Sequence, residues 1–343
     1  MALSPNRQWT LRACPDEAIG QYDFELRSES RPQPAKGEIV LRVHYLAMDP
    51  AIRGFMNQRG GYAAPIAPGT PVRGMVLGEV VESRADTISP GEAVWGFGSW
   101  SDYVVGPAAQ FHRAERQAPG PDLLHRRGTI GLTAHYGLTR IAQIRPGEVI
   151  LVSGAAGAVG SLVGQMARNL GAGRIVGIAG GAAKCRRAVE RYGYDVCLDY
   201  KAAEGDLRGP LMAAVPGGVD VYFDNVGGPL QAIAIDLLRK NARMALCGMI
   251  ADYDGGASSP PPNLWNLVVQ TAMIRGFRVA EILNEHALVA EAQDEIEGWI
   301  AEGRLHGDLD IRKGLENAPA TFLTLFSGGN NGRLLVQVNE DGW

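Results

Sequence analysis

The chain has 343 residues, enough for two domains, with 33 basic and 37 acidic residues and a net charge of −4. Charges of both signs are mixed along the sequence, which favours neither a nucleic-acid partner nor an anionic membrane surface. No apolar stretch reaches the length of a membrane span, and four cysteines without a CxxC spacing are typical of a reduced, cytoplasmic protein. The 45 glycines, about twice the usual share of ~7%, predict many tight turns.

Short apolar stretches broken by Gly, Pro and Asp make up residues 1–127, a pattern that predicts a β-rich domain. The period changes at Gly128, after which apolar positions recur at helical spacing. From there to residue 304 strands and helices alternate, which is typical of βαβ units in a parallel sheet. Residues 305–343 end in an apolar strand and are expected to return to the first domain.

The alternating segment predicts an α/β fold with a doubly wound parallel sheet beside the β-rich domain. Its predicted strands are 148–154, 174–180, 219–225 and 242–250. Its predicted helices are 157–171, 182–193 and 228–241. Strands separated by helices of this length run parallel, with helices covering both faces of the sheet.

Glycines open the first of these helices. Gly154, Gly157 and Gly160 are spaced by three, and against the dinucleotide fingerprint GxGxxG only the first glycine is replaced, by Ala155. A glycine at the second position lets the backbone approach a pyrophosphate, and one at the third lets the helix pack closely on the sheet. The turn therefore predicts a dinucleotide site; the alternative is a tightly packed strand–helix joint without a ligand.

The end of the second predicted strand indicates which dinucleotide binds. An NAD site usually has an acidic residue about 20 positions after the glycine turn. Here Gly180 and Gly181 stand in that place, followed by Lys184, Arg186 and Arg187. A missing carboxylate beside cations suits the 2′-phosphate of NADP, so we predict NADP(H), with Lys184 as the favoured phosphate contact. The alternative is that these basic residues form a solvated helix face.

Several catalytic motifs are missing from the sequence. No tyrosine has a lysine four positions later, and neither a GxSxG elbow nor an HExxH helix occurs. The six histidines are isolated, and none has a cysteine at ligand spacing. We therefore predict no metal site.

Chained motifs across residues 8–338 resemble a known superfamily. They are AAGAVGSLVGQMA (155–167), VGIAGGAAKC (176–185), VDVYFDNVGG (219–228), CGMIADY (247–253) and GLENAPATF…GGNNGR (314–333). These stretches are similar to the zinc-independent medium-chain dehydrogenase/reductase superfamily, within the group of prostaglandin and leukotriene reductases, alkenal double-bond reductases and curcumin reductases. Zinc-dependent relatives carry Gly-His-Glu where this chain has Gly74-Met75-Val76, and a cysteine ligand near Met48-Asp49.

The resemblance implies a Rossmann domain inserted into a split GroES-like domain, and reduction of a carbon–carbon double bond conjugated to a carbonyl. NADPH would deliver hydride to the β carbon, a proton would add at the α carbon, and a hydrogen-bond donor would stabilise the enolate oxygen. Tyr253 matches the family tyrosine with this role, assisted by a ribose hydroxyl of the cofactor. A phenol, with an ordinary pKa of ~10, stays protonated at neutral pH and can donate. The alternative is a loop tyrosine that only covers the nicotinamide.

The resemblance also implies the cofactor contacts. The pyrophosphate turn corresponds to Gly157, Ala158, Val159 and Gly160, and the adenosine end to Gly180, Lys184 and Tyr200. The remaining matches are Asn225, Cys247, Gly248, Met249, Ile250, Tyr253, Phe277, Val279 and Asn330. Cys247 is expected to pack beside the cofactor and not to act as a nucleophile, and Phe277 fits a plain core position equally well.

Departures from the family pattern concern the substrate. The family stretch DPYMR reads DPAIR at 49–53, so that the methyl of Ala51 replaces an aromatic ring. The family's Ser-x-Tyr-Asn reads ADYD at 251–254, which changes the hydrogen bonds around the tyrosine. Met48, Tyr62 and Trp265 are candidate substrate residues by position, with ordinary core or surface packing as the alternative.

The family usually forms homodimers whose parallel sheets join edge to edge, and the last strand, MIRGFRV (273–279), is the expected edge. The expected substrate is a small α,β-unsaturated ketone or aldehyde. Two other functions stay open at this point. One is an NADPH:quinone oxidoreductase, and the other is a non-catalytic NADPH-binding redox sensor.

Overall fold

The structure is a computed structural model and describes residues 5–15, 18–57, 64–114, 120–203, 206–253 and 262–339. The chain divides into two compact units. The first contains Met1–Leu124, Tyr253–Gly255 and Leu309–Trp343, and the second contains His125–Asp252 and Gly256–Asp308. The domain limits expected from the sequence, 1–127, 128–304 and 305–343, stay a prediction.

Antiparallel strands form the amino-terminal part of the first unit. They are β1 (Asn6–Leu11), β2 (Phe24–Glu29), β3 (Glu38–Ala47), β4 (Arg73–Ser83), β5 (Ala93–Ser99), β6 (Tyr103–Pro107) and β7 (Phe111–Arg113). One short helix, α1 (Ala51–Phe55), follows β3, and 3-10 turns lie at Gln21–Asp23, Ala108–Gln110 and Gly120–Leu124. β1 pairs with β2, while β3 pairs with both β4 and β6, β4 with β5, and β5 with β7.

Strands and helices alternate in the second unit. Its strands are β8 (Val149–Ser153), β9 (Arg174–Ala179), β10 (Val196–Asp199), β11 (Val219–Asp224), β12 (Leu238–Leu246) and β13 (Met273–Gly276). Its helices are α2 (Thr129–Tyr136), α3 (Ala158–Asn169), α4 (Ala182–Arg191), α5 (Arg208–Ala214), α6 (Gly228–Asp236), α7 (Ile250–Tyr253, whose last residue counts with the first unit), α8 (Trp265–Gln270) and α9 (His286–Ala301). A π-helical turn, Gly137–Ile141, continues α2, and a 3-10 turn lies at Val279–Glu281.

The six strands form a parallel sheet in the order β10-β9-β8-β11-β12-β13. This is the strand order of the doubly wound dinucleotide-binding fold, in which the order reverses between the first and fourth strands. Alternate residues of β8 face different cores: Ile150 and Val152 belong to one apolar cluster, and Leu151 belongs to the cluster on the opposite face. The predicted α/β fold class, with a parallel sheet beside a β-rich region, is confirmed.

Two predicted elements of this unit differ from the structure. The predicted helix 228–241 ends at Asp236, because Leu238 already pairs with Val219 as the first residue of β12. Asn241 then takes a positive φ of 62° within the strand, which no helix accommodates. The strand predicted at 242–250 correspondingly ends at Leu246. β10, which has only four half-buried residues, has no counterpart among the predicted strands.

The carboxyl-terminal segment completes the first unit with β14 (Leu309–Lys313), a 3-10 turn (Leu315–Asn317), α10 (Ala318–Ser327) and β15 (Arg333–Gln337). β15 pairs antiparallel with β3 and parallel with β14, so the larger sheet has the order β14-β15-β3-β4-β5-β7. Arg333 is almost fully buried; it pairs with Asp49 and donates from Nε to the carbonyl oxygen of Leu124 at 2.8 Å. None of the helices in the described ranges combines the length and apolar character needed to cross a membrane.

Candidate functional site

The site residues predicted in the second unit lie mainly where its parallel strands end. In doubly wound sheets ligands bind outside the carboxyl ends of the strands, at the point where the strand order reverses. In this sheet that point lies between β8, which ends at Ser153, and β11, which ends at Asp224. The backbone turns that leave these two strands therefore form the natural centre of a ligand site.

The turn after β8 is held by backbone atoms. Gly154 has a φ of +64°, and its carbonyl oxygen accepts a hydrogen bond from Gly157 N at 2.9 Å. A Cβ on Gly160 would lie 2.2 Å from Gly154 O, so only a glycine lets α3 begin this close to the turn. Gly160 O also accepts a hydrogen bond from the Tyr194 hydroxyl at 2.7 Å, which ties the turn to the chain just before β10.

The first turn of α3 fits an anionic group. The amides of Ala158, Val159 and Gly160 lie in the first turn, where a helix has no carbonyl acceptors of its own, and a twelve-residue helix presents a positive dipole end. A Cβ at Gly157 would meet only Gly154 O, at 3.2 Å, so a backbone atom and no side chain borders the residue that precedes these amides. This combination suits a pyrophosphate.

Side chains shape the turn after β9. A Cβ on Gly180 would lie 2.9–3.0 Å from the ring of Tyr200, so no acidic side chain fits there without displacing the ring. Gly181 has a φ of +101° and donates its N–H to Asp199 Oδ1 at 2.7 Å, and Lys201 N donates to the same oxygen at 3.0 Å. The hydrogen bond from Gly181, together with the one from Lys201, holds the pKa of Asp199 below its ordinary value.

Lys184 and Tyr200 both follow strands that end at this second turn. Lys184 is the third residue of α4 and is half-buried, and Tyr200, directly after β10, keeps 45% of its surface exposed. Arg186 on the same helix is exposed, and Arg187 is half-buried. The structure thus places the Tyr200 ring beside Gly180 and the backbone of Lys184 in the helical turn that follows Gly181, while their contact with a 2′-phosphate stays a prediction.

Asn225 lies at the point of strand reversal. Its backbone N–H donates to Ser153 Oγ at 2.8 Å, and its side-chain Nδ2 donates to Ser153 O at 2.7 Å. Ser153 Oγ in turn donates to Asp224 Oδ1 at 2.8 Å. The predicted contact Asn225 is therefore fixed to the end of β8, beside the glycine turn.

The loop after β12 leads to Tyr253. The amides of Ile250 and Ala251 donate to the carbonyl oxygens of Asn225 and Val226, at 3.5 and 3.0 Å, so that α7 rests on the loop after β11. Tyr253 is the last residue of α7 and is half-buried. Tyr253, the predicted hydrogen-bond donor, therefore ends a helix whose first two residues are hydrogen-bonded to the predicted cofactor loop.

The first residues of the same loop pack tightly. Cys247 N and Gly248 N both donate to Asp224 O, at 2.8 and 3.1 Å. Burial of the Cys247 thiol, with the Asp224 carboxylate nearby, raises its pKa to about 12. The thiol is therefore protonated at neutral pH, which agrees with a packing role and not with a nucleophile.

Other predicted contacts lie outside these turns. Phe277 is buried, with its ring centroid 5.8 Å from that of Tyr136 and 6.1 Å from that of Phe223, and Val279 opens the 3-10 turn that follows. Asn330 belongs to the first unit, in the loop before β15, where its Nδ2 donates to Gly332 O at 3.0 Å.

The substrate candidates are not brought together by the described part of either unit. Met48 is buried in the core of the first unit, next to the end of β3. Trp265 belongs to the second unit and is 70% exposed at the start of α8. Tyr62 lies outside the described residues. The roles of all three as substrate contacts stay a prediction.

Asp224 is the residue that sequence reasoning missed. It ends β11, has no exposed surface and receives hydrogen bonds from groups on β8, β11, the following loop and α6. The sequence did contain a signal for this residue. An acidic side chain that directly follows the apolar stretch 221–223 is expected to be buried, and a buried carboxylate needs hydrogen-bond donors. The identity of these donors cannot be predicted from the local sequence, because some of them lie on β8 and α6, which are distant in the chain.

Fold and site define a protein of the doubly wound dinucleotide-binding class, joined to a β-rich unit. A family model described as the N-terminal domain of oxidoreductase matches residues 7–114, and one described as zinc-binding dehydrogenase matches 158–293. Among the described residues, no group of three or more His, Cys, Asp or Glu side chains is placed to hold a metal ion.

Relatives that match nearly the whole chain identify the family within this dinucleotide-binding class. The chain is 35% identical to the NADPH-dependent curcumin reductase of Escherichia coli (strain K12), over 98% of each chain. It is 32% identical to the 2-alkenal reductase (NADP(+)-dependent) of Nicotiana tabacum, over 94% of each. The crystal structure of CurA from Vibrio vulnificus in complex with NADPH matches with a TM-score of 0.91 at 33% identity, covering 97% of this chain and 99% of that one.

The chain therefore belongs to the medium-chain dehydrogenase/reductase superfamily, in the group of curcumin, prostaglandin and alkenal reductases. The resemblance predicted from the sequence motifs is confirmed.

Proposed function

We propose that the protein reduces the carbon–carbon double bond of α,β-unsaturated ketones and aldehydes with NADPH. Its class, an NADP-dependent oxidoreductase acting on carbon–carbon double bonds, is that of its family. The observation that carries the proposal is that α7, which ends at Tyr253, is hydrogen-bonded to the loop of Asn225. That loop starts at the point of strand reversal, where a dinucleotide binds in this fold.

The residues of the two turns fit the two ends of NADPH. The backbone amides of Ala158, Val159 and Gly160 suit the pyrophosphate, because they lie in the first turn of α3, directly after a glycine whose added Cβ would meet only Gly154 O. At the second turn Tyr200 fills the space beside Gly180 that a carboxylate would need to bind a ribose hydroxyl. Lys184 in the first turn of α4 supplies a cation for the 2′-phosphate instead.

NADPH, when bound, would supply the hydride that the β carbon of the substrate accepts, and a proton from solvent would then add at the α carbon to give the saturated carbonyl compound. The residues of the chain have to stabilise the negative charge that develops on the carbonyl oxygen of the substrate. The Tyr253 hydroxyl is the proposed donor to this oxygen, and a neutral donor aimed at developing charge lowers the barrier without a metal. Cys247 stays a thiol and offers no competing nucleophile for an electrophilic enone.

The proposal is tested by measuring NADPH oxidation with alkenals, cyclic enones, aryl enones and quinones, together with product analysis. We expect saturated ketones and aldehydes as products. Turnover of quinones alone would identify a quinone oxidoreductase. Tight NADPH binding without turnover of any compound would identify a redox sensor.

Tyr253→Phe tests the donor separately from the cofactor site. Removing one hydrogen bond to a developing charge is expected to lower kcat about tenfold or more, while the Kd for NADPH stays nearly constant. Steady-state kinetics and NADPH fluorescence measure the two quantities. Unchanged kcat would demote Tyr253 to a packing residue that covers the nicotinamide.

A homodimer is the proposed assembly. β13 is an edge of the parallel sheet, and apolar side chains are exposed on the strand, at Met273 (51%), and on the preceding helix α8, at Trp265 (70%) and Val268 (65%). An open parallel edge with such a surface suits a second copy that continues the sheet. Sedimentation velocity is expected to show twice the chain mass, and a monomer at micromolar concentration would contradict the assembly. Location in the cytoplasm stays a prediction.

A further inference from the structure

The carboxylate of Asp224 is buried at the centre of the site and is held by uncharged donors. Its Oδ1 accepts hydrogen bonds from Ser153 Oγ at 2.8 Å, from the Tyr222 hydroxyl at 2.9 Å, and from the amides of Val226 and Gly227 at 3.0 Å each. Its Oδ2 accepts from Gln231 Nε2 at 3.0 Å. A buried charge is costly unless hydrogen bonds replace its hydration, so five donors on one side chain mark a specific arrangement.

The donors come from the elements that carry the site. Ser153 ends β8 directly before the glycine turn, and the two amides belong to the loop that follows β11. Ser153 Oγ also accepts the hydrogen bond of Asn225 N, so one hydroxyl joins the carboxylate to the predicted cofactor contact. The Asn225 side chain donates to Ser153 O, which fixes the orientation of its amide.

The backbone of the same segment supports α7. Asp224 O accepts the amides of Cys247 and Gly248, and the next two carbonyl oxygens accept the amides of Ile250 and Ala251. The loop after β11 thus forms the base on which the start of α7 rests. If the loop amides that bind the Asp224 carboxylate moved, the carbonyl oxygens that accept from α7 would move with them.

We propose that Asp224 is a positioning residue of the active site: its carboxylate holds the loop after β11 so that both Asn225 and the helix of Tyr253 keep their places. The claim that Asp224 positions Tyr253 for catalysis rests on the proposed function. The claim that it positions Asn225 concerns NADPH binding alone. Burial and the neighbouring Asp224 raise the pKa of Tyr222 far above its ordinary value, so this phenol stays a donor to the carboxylate.

Asp224→Asn is the main test, because the amide keeps the size and one acceptor oxygen. Gln231 can turn its own amide to accept from the new Nδ2, whereas the neutral oxygen binds the four remaining donors more weakly. We expect the Kd for NADPH to rise about tenfold and kcat with an enone to fall by a similar factor. Ser153→Ala is a milder second variant, expected to weaken NADPH about threefold.

The same strand offers a matched control. Asp220 lies at the amino end of β11, where its Oδ2 accepts from Val149 N at 2.8 Å and Arg239 Nη1 at 2.7 Å. Asp220→Asn removes a carboxylate of the same strand that is paired with Arg239 at the end opposite the site. It is expected to lower the melting temperature without changing the Kd for NADPH or kcat.

Three outcomes decide the inference. If Asp224→Asn and Ser153→Ala bind and turn over like the unaltered protein, and only their melting temperatures fall, Asp224 is a structural anchor and the inference is wrong. If Asp224→Asn lowers kcat as much in a Tyr253→Phe background as alone, it does not act through Tyr253. The Kd for NADPH is measured without substrate. If the unaltered protein binds NADPH but reduces no enone, the proposed function is wrong, while the effect of Asp224→Asn on NADPH binding through Asn225 can still be measured.

Discussion

The turns after β8 and β9 occupy equivalent places in successive βα units, but different parts of the chain build them. Backbone atoms shape the first, since a Cβ on Gly160 would collide with the carbonyl oxygen of Gly154. Side chains from β10 and the residue after it shape the second: Tyr200 fills the space beside Gly180, and Asp199 binds the amide of Gly181.

The difference follows what each turn has to recognise. Every dinucleotide has a pyrophosphate, which backbone amides at a helix start bind irrespective of the rest of the cofactor. Only NADP has a 2′-phosphate, and selecting it requires a cation and the lack of a competing carboxylate. We therefore expect changes in the first turn to affect both cofactors and changes in the second turn to alter the preference between them.

Gly160→Ala is expected to have the largest effect. The added Cβ would lie 2.2 Å from Gly154 O and 2.9 Å from Ala155 Cα, and backbone atoms can yield only by moving the turn. Overpacking of this kind lowers the free energy of unfolding by about 3 kcal/mol, which corresponds to a melting temperature lower by roughly 6–12 °C. NADPH and NADH affinity should fall together, as measured by thermal denaturation and fluorescence titration.

Gly298→Ala is the control for this change. Gly298 lies within α9, and an added Cβ there has no atom within 4 Å. The substitution should stabilise the protein by about 0.4–1 kcal/mol through backbone entropy and leave both affinities unchanged. Equal melting temperatures for the two alanine variants would show that the close approach at Gly160 is not limiting.

Gly180→Asp is expected to have the next largest effect, and it sharpens the comparison. The new carboxylate repels the 2′-phosphate, and its Cβ meets the Tyr200 ring at 2.9 Å, so NADPH binding should weaken about a hundredfold without a gain for NADH. Adding Tyr200→Ala makes room for the carboxylate and should then strengthen NADH binding. An improvement with NADH in the single variant would mean that Tyr200 does not restrict this position.

Lys184→Ala removes only the proposed phosphate cation. A charge-assisted contact contributes about 1.5–3 kcal/mol, so the Kd for NADPH should rise about tenfold to a hundredfold while that for NADH stays constant. Arg186→Ala, on the exposed side of α4, changes the net charge equally and serves as control. Equal weakening of both cofactors would rule out the 2′-phosphate assignment.

Asp199→Asn is expected to have the smallest effect, and one that depends on pH. The pKa of Asp199 lies below the ordinary 3.8, so its ionised form stabilises the folded protein above that pH. This contribution is lost as the pH falls through the folded-state pKa. The unaltered protein should therefore melt slightly above Asp199→Asn at pH 7 and together with it in more acidic buffer; a gap that persists in acid would contradict the assignment.

Sequence patterns predicted the structure of the turn after β8 more completely than that of the turn after β9. The glycine spacing at 154–160 and the apolar run before it predict a strand, a tight turn and a helix, because these features depend on neighbouring residues. Tyr200 entered the prediction only through the family resemblance, since β10 is too short and too exposed to be recognised by its pattern. The helix predicted at 228–241 failed for a related reason: pairing of Leu238 with Val219 overrides local helical propensity.

The sequence by itself determined the α/β class, the family, the glycine turn and the lack of an acid at Gly180, because spacing and residue type carry that information locally. Only the tertiary structure decided that Tyr200 closes the space beside Gly180 and that Asp199 holds Gly181. It also decided that the Asp224 carboxylate collects its donors from β8, β11, the following loop and α6. The physical reason is that hydrogen bonds and excluded volume act between atoms close in space, and parallel strands bring together residues that are distant in the chain.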